Sequence, residues 1–222
     1  MRASMAEQSG RRGLFLVLEG IEGSGKSTQA ALLADWMARH GVAHLLVREP
    51  GGTPVGEEIR RVLLHGQGMP AVAELYLYLA ARAALVETVV RPALAAGTVV
   101  LADRFELSTL AYQGAGRGLD EAAVRAANAL ATGGLVPDLV MLLDVPVDVG
   151  EARRAARGAA DRMERAGQDF HRRVAEAYGL LAGRAGTGVA RVVASGEPQE
   201  VHGAIVRLLE ERFAETFPPG RG

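Results

Sequence analysis

The sequence contains no cysteine. That excludes a disulfide framework, a thiolate metal site and a cysteine nucleophile, and it fits a cytoplasmic protein. Charge of one sign is also missing: 25 Lys and Arg stand against 26 Asp and Glu, a net charge of −1. Broad electrostatic binding to nucleic acid or to an anionic membrane is therefore not the main activity, and partners must be sought at local sites. No apolar run approaches the roughly 18 residues of a membrane span; the stretch from Val136 to Val147 is broken by Pro and Asp. The opening Met1 to Arg12 is small, polar and basic with no apolar centre, so it reads as a flexible leader rather than a secretory signal. There is no internal repeat and no interdomain linker. The 222 residues fit one domain, expected over 13–216, and at that size folding buries roughly 70% of the unfolded chain's surface.

Within these limits, apolar runs of strand length alternate with stretches of helical period, the pattern of βαβ units and a parallel sheet. Leu14 to Leu18 is continuously apolar, as a strand covered on both faces should be. Further strands are predicted at Ala43 to Val47, Thr98 to Ala102, Leu139 to Leu143 and Val189 to Val193. Helical spacing marks Lys26 to Met37 (stopped at Gly41), Glu57 to Leu64, Ala73 to Val90 (ended by Pro92), Glu121 to Ala131, Val147 to Ala156, Phe170 to Leu181 and Pro198 to Arg212. The tail 217–222 should be flexible. Arg153 to Phe170 stands apart, with five arginines among Ala and Gly and no steady apolar stripe.

Gly20-Ile21-Glu22-Gly23-Ser24-Gly25-Lys26-Ser27 matches G-x-x-x-x-G-K-[ST], between a buried-strand pattern and a helix, where the motif must lie. Glycines let successive N–H groups face one anion, and the following helix adds its positive end. Lys26 then addresses the β and γ phosphates, and the Ser27 hydroxyl suits Mg²⁺. No Asn-Lys-x-Asp base-reading segment of a GTPase is present. Instead, strands end in charged residues aimed at the crevice where open α/β sheets bind ligands: Arg48-Glu49-Pro50-Gly51-Gly52-Thr53 and Asp103-Arg104-Phe105. With the Arg-rich stretch they offer several guanidiniums to one site, which points to a second phosphorylated substrate. Asp103 stands where a Walker-B-type acid belongs, binding Mg²⁺ directly or through water. Glu19 in the same shell and Asp144 at another strand end are competing acids.

From about Leu14 to Leu181 the chain resembles thymidylate kinase. The motifs fall in order: Glu19 to Thr28, Arg48 to Thr53, Ala80-Ala81-Arg82, Asp103-Arg104, Ser108-Thr109-Leu110-Ala111-Tyr112-Gln113-Gly114 and Pro137-Asp138-Leu139. The resemblance implies a phosphate-loop NTPase fold, α/β, with a five-stranded parallel sheet, helices on both faces and an Arg-rich lid at about 153–167. It implies transfer of the γ-phosphoryl group of ATP to deoxythymidine monophosphate (dTMP), with Mg²⁺ as cofactor. A homodimer is implied too, with the apolar helix Leu75 to Val90 against its twin. Another nucleoside monophosphate kinase, a deoxynucleoside kinase and an idle nucleotide-binding module are the alternatives.

By motif position, Gly20, Gly23, Ser24, Gly25, Lys26, Ser27 and Thr28 cradle the donor, and Glu22 holds the acceptor's 3′-hydroxyl. Arg60 and Arg104 match the arginines that grip the acceptor phosphate, whereas Arg61 should lie on the surface. Tyr78 matches the ring, usually Phe, that stacks on thymine, with Arg82 one turn on; aromatics in an apolar helix such as Tyr76 and Tyr78 also suit a core. Ser108 belongs to the acceptor segment, Thr109 matches a residue at the pyrimidine edge, and Tyr112 a ring that excludes a 2′-hydroxyl. Gln113 either supports the base or caps the loop. The loop carries no basic residue at its variable positions, so the resemblance is to the subtype whose lid arginines meet the transferring group: Arg153, Arg157 and Arg162. Arg154 and Arg165 fit solvent equally well. The five histidines match no catalytic constellation and are assigned to the surface.

Overall fold

The continuous apolar run before the glycine-rich loop forms β1 (Phe15–Glu19), a strand with every residue buried. In the computed structural model, which describes residues 12–156, 162–163, 165–184 and 188–219, β1 lies at the centre of a parallel sheet. The other strands are β2 (His44–Arg48), β3 (Val99–Asp103), β4 (Leu139–Asp144) and β5 (Val189–Val193), in the order β2-β3-β1-β4-β5. Leu18 stands opposite Asp103 on one side and Met141 on the other. The chain leaves β1 toward β2 on one flank and leaves β3 toward β4 on the other. A crevice therefore opens beyond the carboxyl ends of β1 and β3.

The helices are α1 (Lys26–Arg39), α2 (Pro54–His65), α3 (Ala71–Leu85), α4 (Arg91–Ala95), α5 (Glu106–Thr109), α6 (Glu121–Thr132), α7 (Val147–Ala155), α8 (Gln168–Gly183) and α9 (Pro198–Arg212). Because successive strand side chains alternate in direction, Leu16 and Leu18 meet Leu33 and Met37 of α1 and Ile205 and Leu209 of α9 on one face. Phe15 and Val17 meet Leu85, Val90 and Leu94 on the other. Truncating such a leucine to alanine costs about 2–5 kcal/mol. These two layers hold the carboxyl edge of the sheet, and the crevice above it, in place.

The structure departs from the sequence expectations at four points. Pro92 does not end its helix: helical backbone continues from Ala71 to Ala95, with a wide π turn at Val86–Val90 in which Arg91 N–H donates to Val86 O. The wide turn relieves the clash and missing donor that proline brings to a regular helix. The segment from Glu106 to Gly116, which no clear period marks, is helical, with a π stretch at Leu110–Gly116. Phe217, assigned to the flexible tail, is 2% exposed and packs on the Trp36 ring at 5.4 Å. Its large apolar surface outweighs the loop-forming prolines beside it. Arg12, assigned to the leader, pairs with Asp138 at 2.6 Å. Residues 1–11 of the leader, residues 220–222 of the tail and Arg157 of the lid lie outside the described residues.

Candidate active site

At the carboxyl end of β1 the chain turns through Gly20, Gly23 and Gly25, all with positive φ. Gly23 has a second reason to lack a side chain: a Cβ there would lie 2.1 Å from the Gly150 carbonyl oxygen of α7. The loop ends in Lys26, whose ammonium is buried and donates to Gly20 O (2.9 Å), Ile21 O (2.8 Å) and Ser24 Oγ (3.3 Å). Burial first, and the Arg104 charge second, pull its pKa down to about 7, against the opposing pull of Asp103, Glu22 and Glu19. A polyphosphate at the loop supplies the negative charge that this ammonium needs.

Ser27 Oγ donates to Asp103 Oδ2 at 2.9 Å, so the two residues expected to serve a metal stand together. The competing acids do not join them. Asp144 is half exposed, 3.9 Å from Arg191, and is absent from the cleft wall. Glu19 is fully buried, and its carboxylate accepts from Phe105 N–H (2.8 Å), Ser108 N–H (3.0 Å), Ser108 Oγ (2.6 Å) and Tyr178 OH (2.7 Å). It ties the segment after β3 to β1, with no lone pair turned to the crevice.

The crevice is a cleft of about 780 Å³. Beside the phosphate loop, Glu22 meets Arg104 at 3.2 Å and accepts from Tyr112 OH at 2.5 Å. Burial opposes the Glu22 charge, but Arg104, Lys26 and the Tyr112 hydroxyl outweigh it and hold the carboxyl below its ordinary value. Arg104 is the only non-glycine with positive φ among the described residues (77°). That strained backbone turns its guanidinium back toward Glu22, Ser108 Oγ (3.0 Å) and Gly20 O (3.3 Å). His171 is a correction to the surface assignment: it is 7% exposed, with Nδ1 3.9 Å from Glu22 Oε2, because α8 packs its buried face over this end of the cleft.

Farther along, Thr53 caps α2 by accepting from Gly56 N–H at 3.0 Å. About two turns after that cap, Arg60 donates to Pro50 O at 2.9 Å and lines the cleft. Arg61, as expected, lies outside and pairs with Glu58. The helix α3 separates its tyrosines: Tyr78 lines the cleft, and Tyr76 is 64% exposed. Arg82 is 2% exposed. All five of its N–H groups are used within the protein: Nε and Nη2 to Glu49 Oε2 (2.8 and 2.5 Å), Nη2 to Phe105 O (2.8 Å), and Nη1 to Thr109 Oγ1 (2.8 Å) and to Asn128 Oδ1. It also forms part of the cleft wall. Burial lifts the Glu49 carboxyl above its ordinary value despite Arg82. Thr109 and Gln113 also line the cleft.

The lid residues divide. Arg153 lines the cleft and donates to Ala194 O (2.9 Å) and Ser195 O (3.2 Å), and the following Gly196-Glu197-Pro198 lines the same end. Arg162 is turned away from the cleft wall: its Nε donates to Leu63 O at 2.7 Å and its Nη1 to Glu74 Oε2 at 2.6 Å. Arg154 lies 3.0 Å from His171 Nε2. Glu74 was not marked by any motif. A lone carboxylate in the apolar helix one turn before Tyr78 was its only signal, and it is completely buried.

A glycine-rich loop from a central strand to a helix, at the switch point of a parallel sheet and with a Ser–Asp oxygen pair beside its lysine, defines a phosphate-loop nucleoside-triphosphate-binding protein. The model of the thymidylate kinase family matches residues 18–205. Among curated relatives, the thymidylate kinase of Synechococcus sp. (strain JA-2-3B'a(2-13)) is 49% identical over 200 residues, covering 90% of this chain and 96% of its own. That of Thermosynechococcus vestitus is 45% identical over 217 residues, covering 92% and 90%. That of Pseudomonas fluorescens is 54% identical over 168 residues, covering 75% and 80%. The chain belongs to the thymidylate kinase family. Among the described residues no helix is long and apolar enough to cross a membrane.

Proposed function

We propose that the protein transfers the γ-phosphoryl group of ATP to dTMP, yielding the diphosphate. One observation carries this reading: a single cleft joins Lys26, Ser27 and Asp103 at one end to Glu22, Arg60, Arg104 and Tyr78 at the other. Two polyanions can meet there end to end. The loop amides and Lys26 hold the donor, and Arg60 and Arg104 hold the acceptor phosphate. Glu22 takes the sugar hydroxyl, Tyr78 stacks on the base, and Tyr112 closes the space a 2′-hydroxyl would need. Ser27 and Asp103, hard oxygen ligands on the cleft wall, fit Mg²⁺. When bound, that ion neutralises charge on the transferring phosphates.

No separate base is needed, because the attacking atom is already an anionic phosphate oxygen. Positioning and charge neutralisation supply most of the rate. Arg153, Arg157 and Arg162 are assigned to the donor and the transferring group; for Arg162 this means exchanging Glu74 for phosphate oxygens. The cytoplasm is the proposed compartment. A homodimer is proposed from the family resemblance, with exposed Val72 and Tyr76 of α3 available for it to cover, and sedimentation of the free protein tests it.

Activity is tested by coupled detection of ADP with thymidine, uridine, cytidine and adenosine monophosphates in ribo and deoxy forms, and with thymidine itself. The expected result is ADP release strongest with dTMP. Preference for thymidine lacking the 5′-phosphate assigns a deoxynucleoside kinase instead. ATP binding without acceptor-dependent ADP release refutes the enzymatic reading.

A further inference from the structure

Behind the Arg104 guanidinium lies a buried cluster of Glu19, Ser108 and Tyr178, of which only Ser108 borders the cleft. The Glu19 carboxylate, at the end of β1, is fixed as an acceptor by the N–H groups of Phe105 and Ser108. Two hydroxyls close on it. Ser108 Oγ stands 2.6 Å and Tyr178 OH 2.7 Å from Glu19 Oε2, and the two oxygens are 2.9 Å apart. Tyr178 comes from α8 and is 3% exposed. Burial, and after it the Glu19 charge, hold its phenol well above the ordinary value, so it keeps its hydrogen. Each hydroxyl has one hydrogen to give. Whether that hydrogen goes to Glu19 or to the other hydroxyl, it is spent inside this triangle. Toward Arg104 both oxygens therefore present lone pairs only.

A guanidinium can only donate, and Arg104 Nη1 meets those lone pairs at 3.0 Å (Ser108) and 3.4 Å (Tyr178). Nη2 meets Glu22 Oε1 at 3.2 Å and Tyr112 OH at 3.3 Å, and among the described residues Nε has no acceptor. We infer that Tyr178 is a positioning residue for the acceptor phosphate. Its hydroxyl, with that of Ser108, carries the pull of the Glu19 charge to the Nη1 corner of Arg104 and so aims the rest of the guanidinium at the phosphate. The inference rests on the dTMP-kinase reading above, in which Arg104 holds that phosphate, and deepens it.

The arrangement answers a conflict at the site. The carboxylate that Arg104 touches directly is Glu22, and Glu22 is assigned to the sugar hydroxyl. A guanidinium held from that side alone would close on Glu22 and take up the oxygens the sugar needs. The triangle pulls from the opposite corner through neutral hydroxyls, so Arg104 is anchored without a second carboxylate entering the cleft. It also supplies the surroundings that a backbone at φ 77° requires, since such a conformation persists only where neighbours over-determine it. The hydroxyl can be separated from the ring that bears it. A phenylalanine at 178 fills the same space and keeps the edge contact with the Tyr112 ring at 6.3 Å.

The test is calorimetric binding of dTMP and of thymidine, which lacks the phosphate. In Tyr178→Phe the dissociation constant for dTMP should rise about 3–10-fold, while that for thymidine holds within about twofold. In an Arg104→Ala background the same change should move dTMP binding by less than about twofold. Equal weakening of both ligands makes Tyr178 a packing residue and overturns the proposal. Unchanged dTMP affinity overturns it too, as does a full loss in the absence of Arg104. Circular dichroism checks the fold; if Tyr178→Phe does not fold, Ser108→Ala, which removes the other hydroxyl, is held to the same outcomes. A wild type that binds dTMP no more tightly than thymidine fails the functional reading and takes this inference down with it. A wild type that prefers dTMP, with the whole preference kept in Tyr178→Phe, fails this inference alone.

Discussion

The two ends of the cleft are built from different material. The donor end is mostly backbone: three glycines with positive φ, a lysine held by carbonyls from its own loop, and a helix that starts at Lys26. Its long-range side-chain contacts among the described residues include Ser27 with Asp103 and Arg104 with Gly20 O. The acceptor end is mostly side chains, drawn from α2, α3, the segment after β3, the π stretch and Glu22 of the loop, and Arg82, Ser108 and Gln113 among them are backed by the buried carboxylates of Glu49, Glu19 and Glu74. A phosphate is the same in every nucleotide, and main-chain amides recognise it without reference to the base. A particular base and sugar require placed donors and acceptors, and these stay in place only when their other valences are satisfied.

If the two ends are separable, damage to one should spare the other. The largest effect is expected for Lys26→Ala. Removing a preorganised cation from the developing charge should lower kcat by roughly 10²–10³-fold, with dTMP affinity by calorimetry unchanged within about threefold. A matching loss of dTMP affinity would merge the two ends. Next comes Arg104→Ala, which removes charged hydrogen bonds worth about 1.5–3 kcal/mol. KM for dTMP should rise about 10–100-fold, and the affinity for ATP should hold. The lid arginines are assigned to the donor and the transferring group rather than to the acceptor. Arg162→Ala and Arg157→Ala should each lower kcat at least about tenfold in a protein that keeps its circular dichroism. Wild-type turnover in both removes the lid arginines from the reaction.

The same contrast decides what was legible in the sequence. The donor end is one contiguous string whose flanks announce a strand and a helix, so its residues, the parallel sheet and Asp103 follow from local pattern. Arg104 stands out at a charged strand end, but its role, and Arg60, Tyr78 and Thr109 altogether, became visible through the resemblance to a family, since no spacing rule joins α2 to the π stretch. The residues behind the wall were not legible. Glu74 looks like a stray acid in an apolar helix until Gln113, 39 positions away, is seen to donate to it. Arg82 lines the cleft, but its position in the helix gives no sign that Glu49, Thr109 and Asn128 engage its donors. His171 looks like a surface histidine until α8 places it against Glu22. Helical period reports which face is buried, and it is silent about what that face meets.

The smallest predicted effect concerns protons, and it tests whether the donor end is poised for an anion. Burial brings Lys26 down to about 7 in the free protein, from an unfolded value near 10.5. Between those values the unfolded chain binds the proton more tightly than the folded one. This group's contribution to stability therefore rises with pH from about 7 to about 10.5, and below about 7 the penalty of a buried ammonium is felt in full. A triphosphate beside the ammonium reverses the preference and raises the pKa again. At pH 8 the empty loop holds Lys26 mostly neutral and the filled loop holds it charged, so ATP binding should take up close to one proton. Calorimetry in two buffers of different ionisation enthalpy reads that uptake as a difference in apparent binding heat, and Lys26→Met should remove it. Equal heats in the two buffers would mean that the carbonyls of Gly20 and Ile21 already keep the ammonium charged in the empty loop. Backbone oxygens would then be sufficient partners for the buried cation, and the donor end would be satisfied before any phosphate arrives.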